Sequence, residues 1–216
     1  GAVVGGDGSD EIAFTTTSGD DVINVTFPLV TRNDVVTKYG DIDTLSFALL
    51  GGRDDVEIVP AESGFPSTIT IHGGAGSEDS VTIHGTSAAD VFDLDGSEVS
   101  FGEATVDLVA VESLAILGLG GDDALSAKAV TFSGSIVLDG GEGDDSITLV
   151  YPHAAAGVAV LGGGGVGDEL VVTLSDSDEV VVLTDAHLEV SGANNVVYND
   201  FGSVQLNTMG GNDEVS

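Results

Sequence analysis

The 216-residue chain has no cysteine, no tryptophan, four prolines and only four lysines and arginines together. Without cysteine there are no disulfides and no thiolate zinc sites. Four basic residues stand against 37 acidic ones, a formal net charge of −33. Nucleic acid and anionic membrane surfaces need Lys and Arg to neutralise phosphate, so this balance argues against both as partners. No apolar run approaches the ~18–20 residues of a membrane helix, and no Lys/Arg-led signal segment opens the chain. Aromatics make up 5%, and Tyr39, Tyr151 and Tyr198 are dispersed, so no aromatic platform for sugar stacking is evident. What the chain does have is 32 glycines and a hydrophobic content of 42%. That is too apolar for a disordered acidic tail. So many carboxylates beside so much apolar surface call for cations. The chain opens at Gly1 and reads as a piece of a longer polypeptide.

Internal repetition organises the rest. One set of segments runs Gly-rich, then acidic, then alternating apolar, as in Gly5-Gly6-Asp7-Gly8-Ser9-Asp10, Gly51-Gly52-Arg53-Asp54-Asp55 and Gly73-Gly74-Ala75-Gly76-Ser77-Glu78-Asp79. It continues in Gly118-Leu119-Gly120-Gly121-Asp122-Asp123, Gly140-Gly141-Glu142-Gly143-Asp144-Asp145, Gly164-Gly165-Val166-Gly167-Asp168 and Gly210-Gly211-Asn212-Asp213. The closing acids are spaced by one or two multiples of about 22, the double steps holding degenerate copies near Asn33-Asp34, Gly102-Glu103 and Asn194-Asn195. A second column half a period away is marked by Asp21, Asp43, Pro66-Ser67, Asp90, Glu112, Gly134, Gly157, Asp178 and Gly202. Both columns precede alternating apolar residues such as Ile23/Val25, Val56/Ile58, Ile147/Leu149 and Val180/Val182.

Period-2 alternation is a strand signal, and Gly/Asp clusters between such runs are turn signals. The pattern predicts an all-β, right-handed parallel β-solenoid of about ten coils of about 22 residues, two strands per coil, as a single domain over residues 1–216. Asp10 to Asp79 and Asp21 to Asp90 shift together by 69 residues, and Asp79 to Asp168 and Asp90 to Asp178 by 89 and 88. This suggests three related blocks, the middle one a coil longer.

Gly5-Gly6-Asp7-Gly8-Ser9-Asp10-Glu11-Ile12 and Gly140-Gly141-Glu142-Gly143-Asp144-Asp145-Ser146-Ile147 each fit Gly-Gly-x-Gly-x-Asp-x-apolar. The motif resembles the nonapeptide of the repeats-in-toxin (RTX, hemolysin-type) calcium-binding proteins. Gly85-Thr86-Ser87-Ala88-Ala89-Asp90-Val91-Phe92 and Val111-Glu112-Ser113-Leu114 are similar to segments of large bacterial secreted and surface proteins carrying such repeats. The resemblance implies calcium shared between stacked turns, since calcium takes six to eight oxygen ligands in flexible geometry. Carried onto this chain, it points to Asp7, Asp10, Asp54, Asp55, Asp79, Asp122, Asp123, Asp144, Asp145, Asp168 and Asp213. The best stretches are Asp122/Asp123 over Asp144/Asp145 over Asp168, and Asp54/Asp55 over Asp79. Half-coils here run near 11 residues rather than nine, and most second-column turns have lost the glycines, which places the ions along the first edge. Asp and Gly also make good turns without metal. Against that, stacked like charges repel by about 1 kcal/mol per pair even in a high dielectric, and Asn or Ser would serve the turn alone.

Catalysis has little to stand on. His72, His84, His153 and His187 form no constellation, and His72 and His84 fall one half-coil apart, on opposite sheets. Arg32, Lys38 and Arg53 could approach one another on consecutive coils. A β-helix polysaccharide lyase or hydrolase is the rival reading, with 26–39 and 97–107 as the irregular stretches available for a groove. An ice-binding solenoid would want regular Thr rows, and the outward positions Asn24, Ser46, Thr70, Asp93, Ala115, Val137 and Ala159 are too mixed. The resulting expectation is a non-catalytic, calcium-stabilised structural or adhesive module of a secreted or cell-surface bacterial protein. Its expected partners are calcium, neighbouring repeats or other copies end to end, and surface glycans.

Overall fold

A computed structural model describes residues 2–60, 64–76, 78–131, 134–151, 157–191, 193 and 195–216. Gly1, Ser77, His153 and Asn194, all named above, lie outside the described residues. The fold is all-β, with no helix among the described residues, and its strands belong to two mostly parallel sheets. They form two compact units, Gly1–His84 with Glu98–Ala115, and Gly85–Ser97 with Ile116–Ser216.

In the first unit one sheet runs in the order Ala2–Val4, Val35–Gly40, Leu29–Arg32, Val22–Thr26, Asp55–Val59, Ser80–His84. The other runs Glu11–Thr15, Thr44–Ala48, Thr68–His72, Ala104–Val109, Glu98–Phe101. The chain passes from sheet to sheet, so strands such as Thr68–His72 and Ser80–His84 stack in register on their equivalents one coil earlier. Leu45 pairs with Ile69 and Phe47 with Ile71, just as Val56 pairs with Val81 and Ile58 with Ile83. These eight side chains are at most 2% exposed, while the residues between them face outward. Each fully buried side chain of this kind contributes about 1.5–3 kcal/mol of hydrophobic stabilisation.

The second unit repeats the plan. One sheet carries Ser135–Gly141, Gly157–Gly163, Val196–Asn199, His187–Val190, Val180–Leu183 and Glu214–Val215. The other carries Val91–Asp95, Ala124–Lys128, Ser146–Val150, Glu169–Thr173 and Ser203–Asn207. Leu125, Ile147 and Leu170 form one inward ladder, and Ala127, Leu149 and Val172 the next.

The uniform 22-residue coil does not hold. Short coils step by 22 to 25 residues, as in Ser146 on Ala124 and Ser80 on Asp55. Long ones step by 33 to 38, as in Asp55 on Val22 and Val196 on Val158. A long coil contains an antiparallel excursion. Val22–Thr26, Leu29–Arg32 and Val35–Gly40 form one antiparallel meander, and Val180–Leu183, His187–Val190 and Val196–Asn199 form another. Glu98–Phe101 pairs antiparallel with Ala104–Val109 in the same way. The segments read as degenerate repeats, Asn33-Asp34 and Gly102-Glu103, are the tight turns of these hairpins. Asn33, Asp34 and Gly102 all take positive φ (43°, 68° and 54°), the backbone that two-residue hairpin turns need. The stretches 26–39 and 97–107, expected to be irregular, are thus mostly paired strand. Strands opening the three-strand runs begin at Val22, Val91 and Val180, steps of 69 and 89 that match the block shifts in the sequence. One register also differs: Val181 points inward, and Val180 and Val182 are exposed.

Candidate metal centre: the carboxylate ladders

Many of the strands that follow a turn are preceded by an acid, and the coils bring these acids into hydrogen-bonded series. In the first unit the Asp21 amide donates to Asp54 Oδ1 (2.7 Å), the Asp54 amide to Asp79 Oδ1 (2.9 Å), and the Asp79 amide to Glu112 Oε2 (3.0 Å). In the second unit the Asp90 amide donates to Asp123 Oδ1 (2.7 Å), Asp123 to Asp145 Oδ1 (2.8 Å) and Asp145 to Asp168 Oδ1 (2.8 Å). Shorter series link Asp10 to Asp43 and Glu179 to Asp213. At each of these rungs a carboxylate caps an amide of the coil before it, a charge-assisted bond.

The expected stretches Asp54 over Asp79 and Asp123 over Asp145 over Asp168 are brought together. The single first-column edge is not. Asp10 leads to Asp43 and not to Asp54/Asp55, and Asp213 follows Glu179 and not Asp168. Asp21 and Asp90, assigned to the other column, head the ladders of Asp54 and Asp123. A 33-residue coil is one and a half short coils, so every meander moves the next acid to the opposite column of a 22-residue count. Among the other expected ligands, Asp7, Asp122 and Asp144 are exposed, and Asp10, Asp55 and Asp213 half-buried. Asp122 and Asp144 form an outer ladder, Asp122 Oδ1 accepting the Asp144 amide (3.0 Å) and Asp144 Oδ1 the Gly167 amide (3.0 Å). Asp55 accepts the Ser80 hydroxyl (2.5 Å).

Glycine has a structural reason at these turns. A Cβ on Gly143, whose φ is 138°, would lie 1.9 Å from the Gly121 carbonyl oxygen of the coil beneath. The carbonyls of one turn press on the glycine Cα atoms of the next, so part of the motif follows from stacking alone.

The acids are less fully explained. Asp54, Asp79, Asp123, Asp145 and Asp168 are at most 2% exposed, and in each the second carboxylate oxygen, Oδ2, is buried with no hydrogen-bond partner among the described residues. Glu179 Oε2 is in the same position. An ionised oxygen buried without a partner is costly. Burial pushes the pKa of Asp54 up, against the hydrogen bond from the Asp21 amide and with help from the charges of Asp79, Asp21 and Asp20. Burial likewise raises Asp79 and Asp145, and pushes Asp123 up to about 6.

Beside two of these oxygens sits a main-chain oxygen of the adjacent coil. Asp123 Oδ2 and the Gly140 carbonyl oxygen both crowd Gly118, each 2.2 Å from where a Cβ would lie. Asp79 Oδ2 and the Ala110 carbonyl oxygen crowd Gly73, at 2.9 and 1.9 Å. Among the described residues no three His, Cys, Asp or Glu side chains converge as a metal cluster. A cation here would thus draw on one carboxylate and main-chain carbonyls per turn. The donors are hard oxygens carrying uncompensated negative charge, a set that fits calcium in kind.

His72 and His84 do lie on opposite sheets, and His84 Nε2 is 2.8 Å from Glu57 Oε1. Arg32 and Lys38 occupy opposite ends of one hairpin, across from Val35 and Leu29, and Arg32 donates to the Thr15 carbonyl (2.5 Å). Sequence reasoning missed Thr17, Thr86 and Ser175, which bond the acids four residues on. The available signal was a hydroxyl residue four before an acid, recurring with the same 69- and 89-residue shifts. Compared with protein-family models, curated proteins and solved structures, the chain matches none of them.

Proposed function

We propose that this chain is a non-catalytic structural module of an extracellular or cell-surface protein, stabilised by calcium at its glycine-rich turns. The observation that carries this reading is the row of buried aspartates, Asp54, Asp79, Asp123, Asp145 and Asp168, each with one carboxylate oxygen unpartnered. Calcium supplies the positive charge these oxygens lack. Asp123 with the Gly140 carbonyl, and Asp79 with the Ala110 carbonyl, are the residues that would hold it. The chain's own part is to fix each carboxylate through Oδ1 and to keep solvent from Oδ2.

Such sites suit export. Extracellular calcium modules work at about 10⁻⁴–10⁻³ M, so calcium-poor cytosol leaves the like-charged turns unscreened and the folded state weak. Outside the cell, binding to the folded state alone stabilises it, by about 2.7 kcal/mol per site at a hundredfold excess over Kd. Thermal unfolding in chelator and in millimolar calcium tests the reading. With about 2–4 °C per kcal/mol for a chain of this size, several sites raise Tm by more than about 10 °C. Equal Tm in chelator and calcium contradicts it.

A further inference from the structure

Not every rung is left with an open oxygen. The Thr17 amide (2.9 Å) and hydroxyl (2.7 Å) both donate to Asp21 Oδ2, while the same hydroxyl accepts the Gly19 amide (3.2 Å). Thr86 does the same, its amide (2.7 Å) and hydroxyl (2.9 Å) donating to Asp90 Oδ2 and the hydroxyl accepting the Ala88 amide (3.1 Å). Ser175 donates its hydroxyl to Glu179 Oε1 and accepts the Ser177 amide (3.1 Å), but Glu179 Oε2 stays without a partner among the described residues. Three turns thus share one arrangement: a hydroxyl accepts the amide two residues on and donates to the carboxylate four residues on. Each sits just before the strand that opens a three-strand run, at Val22, Val91 and Val180.

The comparison with the neighbouring rung is close. At Gly85 the Gly118 carbonyl oxygen and Asp90 Oδ2 lie 2.4 and 3.0 Å from where a Cβ would stand, the same pairing of oxygens found at Gly118 around Asp123. The difference is that Asp90 Oδ2 holds two donors and Asp123 Oδ2 none. Where a hydroxyl and an amide already satisfy the oxygen, a cation would have to displace them.

We propose that Thr17 and Thr86 form built-in latches that do the cation's work at their turns. Of the threonine and glycine turns, bound calcium is then confined to the glycine turns of Asp54, Asp79, Asp123, Asp145 and Asp168, and the rungs of Asp21 and Asp90 are calcium-independent. This rests on the calcium reading above. It adds which turns bind, and what holds the block when calcium is absent.

Equilibrium dialysis against calcium, with the full chain and single variants, tests the partition. Asp123→Asn and Asp79→Asn each lower the number of ions bound per chain, whereas Asp90→Asn and Asp21→Asn leave it unchanged. Thr86→Val lowers Tm by the same amount in chelator and in calcium. If Asp123→Asn does not fold, the Asp79→Asn and Asp21→Asn pair makes the same comparison in the other unit. Equal loss of ions at Asp90→Asn and Asp123→Asn overturns the partition while leaving calcium binding standing. So does a Thr86→Val effect that calcium abolishes. If the unaltered chain binds no calcium, the reading beneath it fails as well.

Discussion

Asp21 and Asp54 are consecutive rungs of one ladder, equally buried, one donating its amide to the other, yet their carboxylates live under opposite electrostatics. Burial works to raise Asp21, but the hydroxyl and amide of Thr17, the Asn33 amide and the Arg32 charge outweigh it, and its pKa is lowered. At Asp54 burial wins, aided by neighbouring carboxylates, and the pKa is raised. The lesson is that burial alone does not decide the state of a stacked acid; the donors at its second oxygen do. A turn with threonine at the fourth position back is complete. A glycine turn is not.

The contrast can be broken first at the glycines. Gly143→Ala puts a Cβ 1.9 Å from the Gly121 carbonyl oxygen at a φ of 138°, where neither backbone can give cheaply. A loss of about 3 kcal/mol or more is expected, visible as a lower urea midpoint. At the latch turn, Gly19→Ala meets nothing nearer than Thr17 Oγ1 at 3.9 Å, and its effect stays within about 0.5 kcal/mol. Comparable losses at both positions would show that the glycine turn has no special stacking requirement.

A smaller effect sharpens the electrostatic half. Asp54, Asp79, Asp123 and Asp145 have raised pKa values in the folded chain, so the folded state binds more protons than the unfolded state between the two values. Their contribution to stability is fully present below the unfolded carboxylate range and is lost as pH rises through the folded value, about 6 for Asp123. In chelator, Tm therefore rises as pH falls from 7.5 to 5, with Asp123 alone worth on the order of 2 kcal/mol. Asp123→Asn flattens that slope. Asp21, with its lowered pKa, contributes with the opposite sign: its stabilisation is present above the unfolded range and lost as pH falls through its folded value. A Tm that falls steadily from pH 7.5 to 5 would mean that the folded pKa values are not raised and that the charge on these oxygens is compensated.

Much of this was legible in the residues. Alternation at Leu45/Phe47, Ile69/Ile71 and Ile147/Leu149 marks strands and their inward faces, and the glycine-to-aspartate runs mark the turns where Asp123, Asp145 and Asp168 stack. The meanders were not legible from period. A half-coil and a hairpin strand with its turn both take about 11 residues, so a 22-residue count cannot distinguish a parallel step from an antiparallel one. Only turn chemistry does, and Asn33-Asp34 and Gly102-Glu103, dipeptides suited to positive φ, carry it. Missing them placed Asp21 and Asp90 in the wrong column and hid their kinship with Asp54 and Asp123. The hydroxyl latches were hidden because loss of glycine at Ser87-Ala88-Ala89 reads as decay of a motif, when Thr86 supplies a different way of closing the same turn.

Crystals of the chain grown with calcium, measured for the anomalous signal of that element, test the central claim most directly. The account predicts peaks beside the Oδ2 atoms of Asp54, Asp79, Asp123, Asp145 and Asp168, and none at Asp21 or Asp90. Glycine turns empty of calcium, or peaks of equal strength at latch and glycine turns alike, would contradict it.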